Sequence, residues 1–523
     1  MFLHRRSGTL IKGYCKNICE RCCVRFASTN VASWKPTIGL EIHAQISTKS
    51  KLFSAASTNF NSPINSCVSL FDCAIPGTMP VLNQKCVEAG VLTALALSCD
   101  VNDVSMFERK HYFYPDLPAG FQITQQKNPL AVNGKVKFTV FKSGVHAQPY
   151  TKVSKLKQLQ LEQDSGRSLH NEQLGRSLID LNRAGLPLME LVFEPDLSSG
   201  EEASALVKEL CFILELLGTC SCKMEEGALR VDANVSVSKQ DEHLGTRTEL
   251  KNIGSISAIN HAIQYEINRQ IAILDDGGHI INETRAWNPV CKKTLVMREK
   301  EEKHDYRFMP ETNLPPLHLH VNENIENKCN LIDVPSLRKQ LPKLPEEIRQ
   351  TLQDRGLTSH MYLSMTSDLE LFKLFSEILR TGKHREPQLV AQILISEVLA
   401  FIDTNSLNLS FCADNREYIE ELIDLWQSKV INQSILKMLL NELLYERNKM
   451  PKQIVEEKNW FAISDEKELE ILCSEVLTKN PKLVKKYREG RKKIFKKLLH
   501  ELVKATNGCA DMAQASKIMT RLL

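Results

Sequence analysis

The sequence predicts an α+β protein: a large antiparallel-sheet domain, then an all-α helical domain and a small helical tail domain. Three observations predict it. Residues 37–46 alternate apolar and polar side chains, residues 229–252 do so again in two runs, and from 346 onward apolar residues recur at helical spacing.

The first run reads Thr-Ile-Gly-Leu-Glu-Ile-His-Ala-Gln-Ile. In a strand, successive side chains point to opposite faces. Ile38, Leu40, Ile42, Ala44 and Ile46 then share a buried face, and Gly39, Glu41, His43 and Gln45 share the other. A carboxylate and an imidazole two residues apart on an open face can share a divalent metal or a proton. The solvated face of an ordinary half-buried strand has the same pattern.

The second region repeats the device. Val231, Ala233, Val235 and Val237 alternate with Arg230, Asp232, Asn234 and Ser236; after a polar connector, Arg247, Glu249 and Lys251 oppose Thr248 and Leu250. This predicts an antiparallel hairpin with one strongly polar face. Carboxylates and Arg/Lys on one face suit a metal–nucleotide phosphate site. They equally suit a ladder of cross-strand ion pairs.

Between these strands, Pro and Gly mark turns at 114–120 and 182–187. Asp196-Leu-Ser-Ser-Gly caps a helix over 201–217, and Ile259, Ile263, Ile267 and Ile271 form the stripe of another over 257–274. Tyr112, Phe113 and Tyr114 read as core packing ahead of base stacking. A Pro-rich stretch from Leu314 to Pro345 marks a boundary, and helical stripes follow at 368–380, 387–403, 415–427, 431–446 and 465–478. The expected division is 34–330 for the sheet domain, 331–430 for the helical domain and 431–523 for the tail.

Charge is uneven. The net charge is +4 over 523 residues, but residues 1–30 carry six Arg/Lys against Glu20 alone. An Arg/Lys-rich, acid-poor start ending in small hydroxylated residues has the composition of a mitochondrial transit peptide, expected over 1–33. Its four cysteines are read as passengers and the remaining twelve as free thiols. No apolar run of membrane-spanning length is expected. Residues 479–497 hold ten Lys/Arg against Glu489, with Tyr487 and Phe495 among them. Such density suits a phosphate backbone, with Lys485, Lys486, Arg491 and Lys492 as candidate nucleic-acid contacts; the solvated face of an amphipathic helix is the other reading. The chain has no GxxxxGK[ST] loop, no GxGxxG fingerprint, no GxSxG elbow and no Gly-Gly-Ser-Ser amidase element. The absence of HExxH spacing disfavours a stand-alone metallohydrolase.

Seven ordered runs carry a resemblance: IGLEIHAQISTKSKLFS, HYFYPDLPAGFQITQ, LEQDSGRS, DLNRAGLPLMELVFEPDLSS, MEEGALRVDANVSV, TRTELKNIGS and DYRFMPETNLPPL. Together they closely resemble the B-subunit family of the aspartyl/glutamyl-tRNA amidotransferases, in its mitochondrial form. The resemblance is dense over 37–345 and looser over the helical C-terminus. It implies a cradle domain with a kinase–transamidase site, a helical domain and a tRNA-contacting tail. It implies ATP- and Mg²⁺-dependent phosphorylation of the γ-carboxylate of glutamate on tRNA(Gln). Ammonia would come from the amidase A-subunit, the small C-subunit would clamp the assembly, and the location would be the mitochondrial matrix.

The family's metal-site carboxylates and histidine map to Glu41, His43 and Glu190, with Glu162 as a further ligand. Glu249 matches another acidic position. Arg230, Asp232, Arg247 and Lys251 fall on the nucleotide side. Three departures stand out. Gln163 follows Glu162 where many relatives have a second glutamate. Ser54, Ala56, Ser69 and Asp72 stand where some bacterial members bind zinc through cysteine pairs, so no zinc is expected. Thr312-Asn-Leu-Pro-Pro replaces Pro-Asp-Leu-Pro-Pro, a change expected to alter only a linker. The competing reading is a non-catalytic tRNA-binding scaffold with a decayed site.

Overall fold

The computed structural model describes residues 34–142, 145–171, 173–239, 243–299, 306–382, 384–446 and 449–523. The expected transit segment lies outside them. The chain divides into two units after Pro342.

The first unit is built on one nine-stranded sheet. Its strands are β1 (Trp34–Gln45), β2 (Asp100–Val101), β3 (Ala131–Val140), β4 (Tyr150–Gln163), β5 (Pro187–Phe193), β6 (Leu229–Lys239), β7 (Thr248–Lys251), β8 (Glu283–Asn288) and β9 (Lys293–Glu299). Their order is β9-β8-β7-β6-β1-β5-β4-β3-β2. The sheet differs from the expected all-antiparallel one at a single pair, because β7 and β8 run parallel. Parallel neighbours need a crossover, and the helix between them, Ile256–Asp275, supplies it.

The apolar residues of β1 lie where the alternation put them. Ile38, Leu40, Ile42 and Ala44 are fully buried, as are Ala233 and Val235 of β6 and Leu191 of β5. Three helices cover this face: α1 (Gln84–Ala96), α2 (Gly200–Leu217) and α3 (Ile256–Asp275). The Ser199 hydroxyl accepts the Glu202 N–H at the start of α2, and left-handed Gly218 ends it. In α3 the stripe Ile259, Ile263, Ile267 and Ile271 is buried. The Gln270 amide of α3 donates to the Val235 carbonyl at 3.1 Å and tethers the helix to β6.

Sequence periodicity missed α1. Its eight buried residues, among them Cys86, Val87, Val91 and Leu95, take up more than half of its circumference, and only a narrow edge with Lys85 and Glu88 reaches solvent. So wide a buried arc leaves little 3.6-residue contrast. At Gly90 a Cβ would stand 2.7 Å from Leu130 and 3.1 Å from Leu161, so the helix lies nearly backbone-to-sheet.

The loop after β1 is held from within. Lys51 is fully buried, and its ammonium lies 3.0 Å from Asp72 Oδ2. Asp72 also accepts the Ser69 N–H at 2.8 Å and the Ser54 hydroxyl at 3.2 Å. Three of the four positions compared with zinc ligands thus form one hydrogen-bonded network. All twelve described cysteines are free.

The second unit, from Lys343, is helical. The expected division at 430/431 falls inside it. Asn432 there accepts the Ile435 N–H and donates to the carbonyls of Gly508 and Cys509 at 2.9 and 2.8 Å. One helix, Pro387–Asn405, is long and apolar enough by composition to cross a membrane. Its apolar residues Val390, Ala391, Leu394 and Val398 are instead buried in the unit, and Glu397 accepts a 2.6 Å bond from Gln433. The last four helices are α4 (Glu466–Lys479), α5 (Pro481–Arg488), α6 (Phe495–Ala505) and α7 (Met512–Leu522). They pack around Leu469, Cys473, Leu498, Leu502 and Met519.

Removing one partner of a buried ion pair strands the other charge. Asp72→Ala should destabilise the first unit by about 3–5 kcal/mol, and Lys51→Met with Asp72→Leu should recover most of that loss. Denaturant unfolding of the three proteins checks this; equal stability of the wild type and Asp72→Ala would refute it.

Candidate functional site

Cross-strand register builds the site. Gln160 of β4 faces Glu190 of β5, Glu190 faces His43 of β1, and His43 faces Arg230 of β6. One step along, Glu41 faces Asp232; beyond it, Asn234 faces Glu249 of β7. All project from the face opposite the helices, since their neighbours in sequence fill the core.

All of these except Gln160 line a cavity of about 380 Å³. It gathers Glu41, His43, Glu162, Glu190, Arg230, Asp232, Arg247, Glu249 and Lys251, every residue expected on the metal and nucleotide sides. Asp164 and Asn234 line it too. A small sheet forms part of the wall, with strands Glu108–His111, Phe121–Thr124 and Met309–Pro310. It brings Lys110, Tyr112, Gln122 and Tyr306, which sequence reasoning had not placed at the site. Arg109 fixes this wall through paired bonds to Glu311 at 2.6 and 2.8 Å. The same Glu311 accepts the Asn313 N–H at 2.8 Å within the altered Thr312-Asn-Leu-Pro-Pro segment.

Among the described residues, one group of side chains has metal-ligand spacing. A ring nitrogen of His43 and oxygens of Glu162 and Glu190 lie within 4.8 Å of one another. His43 Nε2 is 3.3 Å from Glu162. Thr124 donates to Glu162 at 3.2 Å, and Gln160 donates to Glu190 at 2.5 Å. Such outer bonds fix the direction of ligand oxygens. Glu41, expected as a fourth ligand, stands apart from the triad and accepts a 3.0 Å bond from Asn234. Gln163 does not enter the cavity; it lines a separate one with Arg109 and Phe121. The two-residue alternation of β4 gives the triad position to Glu162, and the neutral Gln163 costs the triad no charge.

Arg230, Lys251, Asp164, Asp232 and Glu249 form ion pairs. Lys251 bridges Asp232 at 2.5 Å and Glu249 at 3.1 Å. Thr284 donates to Glu249 at 3.1 Å. Arg230 holds Asp164 at 2.9 Å. Arg247 is exposed at the rim. Crowding shifts the triad's protons. Burial and the neighbouring Glu162 charge push Glu190 up to about 8. Burial opposes ionisation of Glu162 as well, but the His43 bond and charge outweigh it and hold that carboxyl at about 2. Burial lowers His43, and the Glu162 carboxylate more than reverses this, to about 9. Without an ion, protons on His43 and Glu190 offset the carboxylate charge.

The basic cluster is a corner rather than one helix face. Helix α5 ends at Arg488, Gly490 turns with φ of +94°, and α6 begins at Phe495. Lys485, Lys486, Arg491 and Lys492 are all exposed on this corner. Tyr487 and Phe495 face each other across it, with ring centroids 5.8 Å apart.

An open sheet face with clustered carboxylates, an imidazole and paired cations can hold a cation and anionic oxygens side by side. The family described as GatB/GatE catalytic domain matches residues 36–325, and the GatB domain family matches 373–523. The chain is 51% identical to the mitochondrial glutamyl-tRNA(Gln) amidotransferase B-subunit of Aedes aegypti, over 95% of this chain and 94% of that one. It is 43% identical to the human mitochondrial B-subunit, over 94% and 88%. It is 39% identical to the aspartyl/glutamyl-tRNA(Asn/Gln) amidotransferase B-subunit of Rickettsia canadensis, over 94% and 98%. The chain belongs to the B-subunit family of the tRNA amidotransferases.

A raised histidine pKa fixes the sign of its pH dependence. The stabilisation from the His43–Glu162 pair is complete below the unfolded value near 6.5 and is lost as pH rises through about 9. In NMR titration of the metal-free protein the His43 ring should titrate near the upper value. In Glu162→Gln it should fall towards or below the ordinary one. An unshifted His43 in the wild type would contradict the pairing.

Proposed function

We propose that this chain is the activating component of a glutamine-dependent amidotransferase that converts Glu-tRNA(Gln) to Gln-tRNA(Gln) in the mitochondrial matrix. One observation carries the reading: in a chain of this family, the His43–Glu162–Glu190 triad and the cations Arg230, Arg247 and Lys251 line one cavity.

A carboxylate is a poor acyl donor because its leaving group would be oxide. In the proposed reaction an oxygen of the glutamate γ-carboxylate attacks the γ-phosphorus of ATP. An O–P bond forms and ADP leaves. Ammonia then forms a C–N bond at the acyl carbon, phosphate leaves, and one ammonium proton passes to solvent. Arg230, Arg247 and Lys251 offset charge on the transferring phosphoryl group, and Asp164, Asp232 and Glu249 hold Arg230 and Lys251 in place.

The donor set fits a hard divalent cation such as Mg²⁺. His43, Glu162 and Glu190 would hold it, with Glu41 beside them, and it would neutralise phosphate oxygens. Binding must displace the protons now on His43 and Glu190, so affinity rises with pH. Ammonia comes from the partner amidase, the A-subunit of the complex, since this chain lacks the Gly-Gly-Ser-Ser element; the small C-subunit completes the assembly.

Reconstitution with the amidase and the small C-subunit on Glu-tRNA(Gln), following Gln-tRNA formation, tests this. Glu41→Gln and His43→Ala should each abolish amidation, a loss of several kcal/mol of transition-state stabilisation, while tRNA binding stays nearly intact. Near-normal rates in both at saturating Mg²⁺ would sink the assignment.

The basic corner supplies sequence-tolerant tRNA affinity. Replacing Lys485, Lys486, Arg491 and Lys492 with Ala should raise the tRNA KM with little change in kcat, and should flatten the salt dependence by about one log–log unit per lost phosphate contact. An unchanged KM and slope would reduce the corner to a solvated surface.

A further inference from the structure

The turn beyond the cavity wall departs from the core packing expected of residues 112–114. Tyr112 lines the cavity. Phe113, the next residue, is 86% exposed and Tyr114 is 52% exposed. These rings are nevertheless held. The Tyr112 and Tyr114 rings meet edge-on with centroids 5.4 Å apart. The Phe113 ring lies over Gly120, where a Cβ would stand 3.1 Å from its Cε1, and Gly120 itself has φ of +72°. The Tyr112 N–H donates to the Gly120 carbonyl at 3.1 Å, and the Leu117 N–H to the Tyr114 carbonyl at 3.0 Å. Asp116 ties the turn to the chain leaving β4, accepting the Gly166 N–H at 2.8 Å and the Ser168 hydroxyl at 3.1 Å.

A fixed turn therefore shows two aromatic rings to solvent one residue from a cavity wall that also carries Lys110. Singly exposed apolar residues are ordinary, but adjacent exposed rings form a contiguous apolar patch, and such patches mark binding surfaces. Rigid aromatic rings beside basic groups are the means by which unpaired bases are held, because every base has a π-face.

We propose that Phe113 and Tyr114 form a stacking platform for an adenine ring at the entrance of the cavity. This rests on the function proposed above. Two adenines then qualify: the 3′-terminal base of the tRNA, whose ribose carries the glutamate, and the base of ATP. The geometry favours the tRNA end. The γ-carboxylate is only a few bonds from that ribose, so a reacting carboxylate inside the cavity leaves the base at its mouth.

The test uses the complex assembled with its partner subunits. Phe113→Ala should raise the Glu-tRNA KM about 5- to 150-fold, the range of one lost base stack, with kcat and the ATP KM unchanged. Phe113→Trp should restore the KM. Fluorescence of a tRNA ending in 2-aminopurine should be quenched by the wild type and by Phe113→Trp but not by Phe113→Ala. A rise in the ATP KM alone would keep the platform and assign it to the nucleotide. Unchanged KM values and quenching, or a defect confined to assembly on size exclusion, would overturn the platform. A wild-type complex that quenches 2-aminopurine but forms no Gln-tRNA would instead overturn the proposed reaction.

Discussion

Strand β1 pairs on both edges, with β5 and with β6, and its two faces do opposite work. Leu40 and Ile42 are fully buried under the helices, while Glu41 and His43 face the cavity. A slip of one residue in register would exchange the two sets. It would bring a carboxylate and an imidazole into the apolar layer and leave two large aliphatic side chains in water. Each of those aliphatic groups contributes about 1.5–3 kcal/mol by burial, and each unpaired buried polar group costs a comparable amount or more. The force that fixes the core thus also fixes which residues meet across the cavity. Gln160, Glu190, His43 and Arg230 lie in one row of the observed register, and the apolar layer beneath excludes every shift of that register by an odd number of residues.

The cavity's charges are organised in two regimes. Around Arg230 and Lys251, opposite charges are already paired at 2.5 to 3.1 Å. These pairs hold long side chains in place and need little rearrangement when anionic oxygens arrive. Around the triad the balance is different: two carboxylates share a small volume with one imidazole, and protons relieve the repulsion. The first regime is prepared for an anionic ligand and the second for a cation.

Strands and their faces were legible because alternation has a short period and each turn of the pattern is independent. Glu41, His43, Arg230, Asp232, Glu249 and Lys251 could be assigned to polar faces from neighbouring residues alone. The small-sheet wall was not legible. Lys110 and Tyr306 lie far apart in the chain, and the wall between them depends on the Arg109–Glu311 pair, which no local pattern announces. Helix α1 was hidden for a related reason: buried residues take up more than half of its circumference, which leaves little contrast. The basic cluster is continuous in sequence, but the corner it occupies depends on the left-handed conformation of Gly490, which its composition does not specify. The exposure of Phe113 depends on how residues 114–120 turn back, which composition does not specify.

The position of β1 in the sheet has a consequence for how the chain is made. It is the first described strand, yet its partners are β5 at 187–193 and β6 at 229–239. At synthesis rates of about 5–20 residues per second, the centre of the sheet must wait roughly ten to forty seconds for its neighbours to exist. During that interval an apolar strand with two unsatisfied edges has nothing native to pair with. Such long-range closure is slow, and the waiting strand is prone to aggregate. Glu41 and His43, two of the residues that line the cavity, therefore lie on a strand that stays unpaired for much of synthesis, whereas the helices of the second unit close over short stretches of chain.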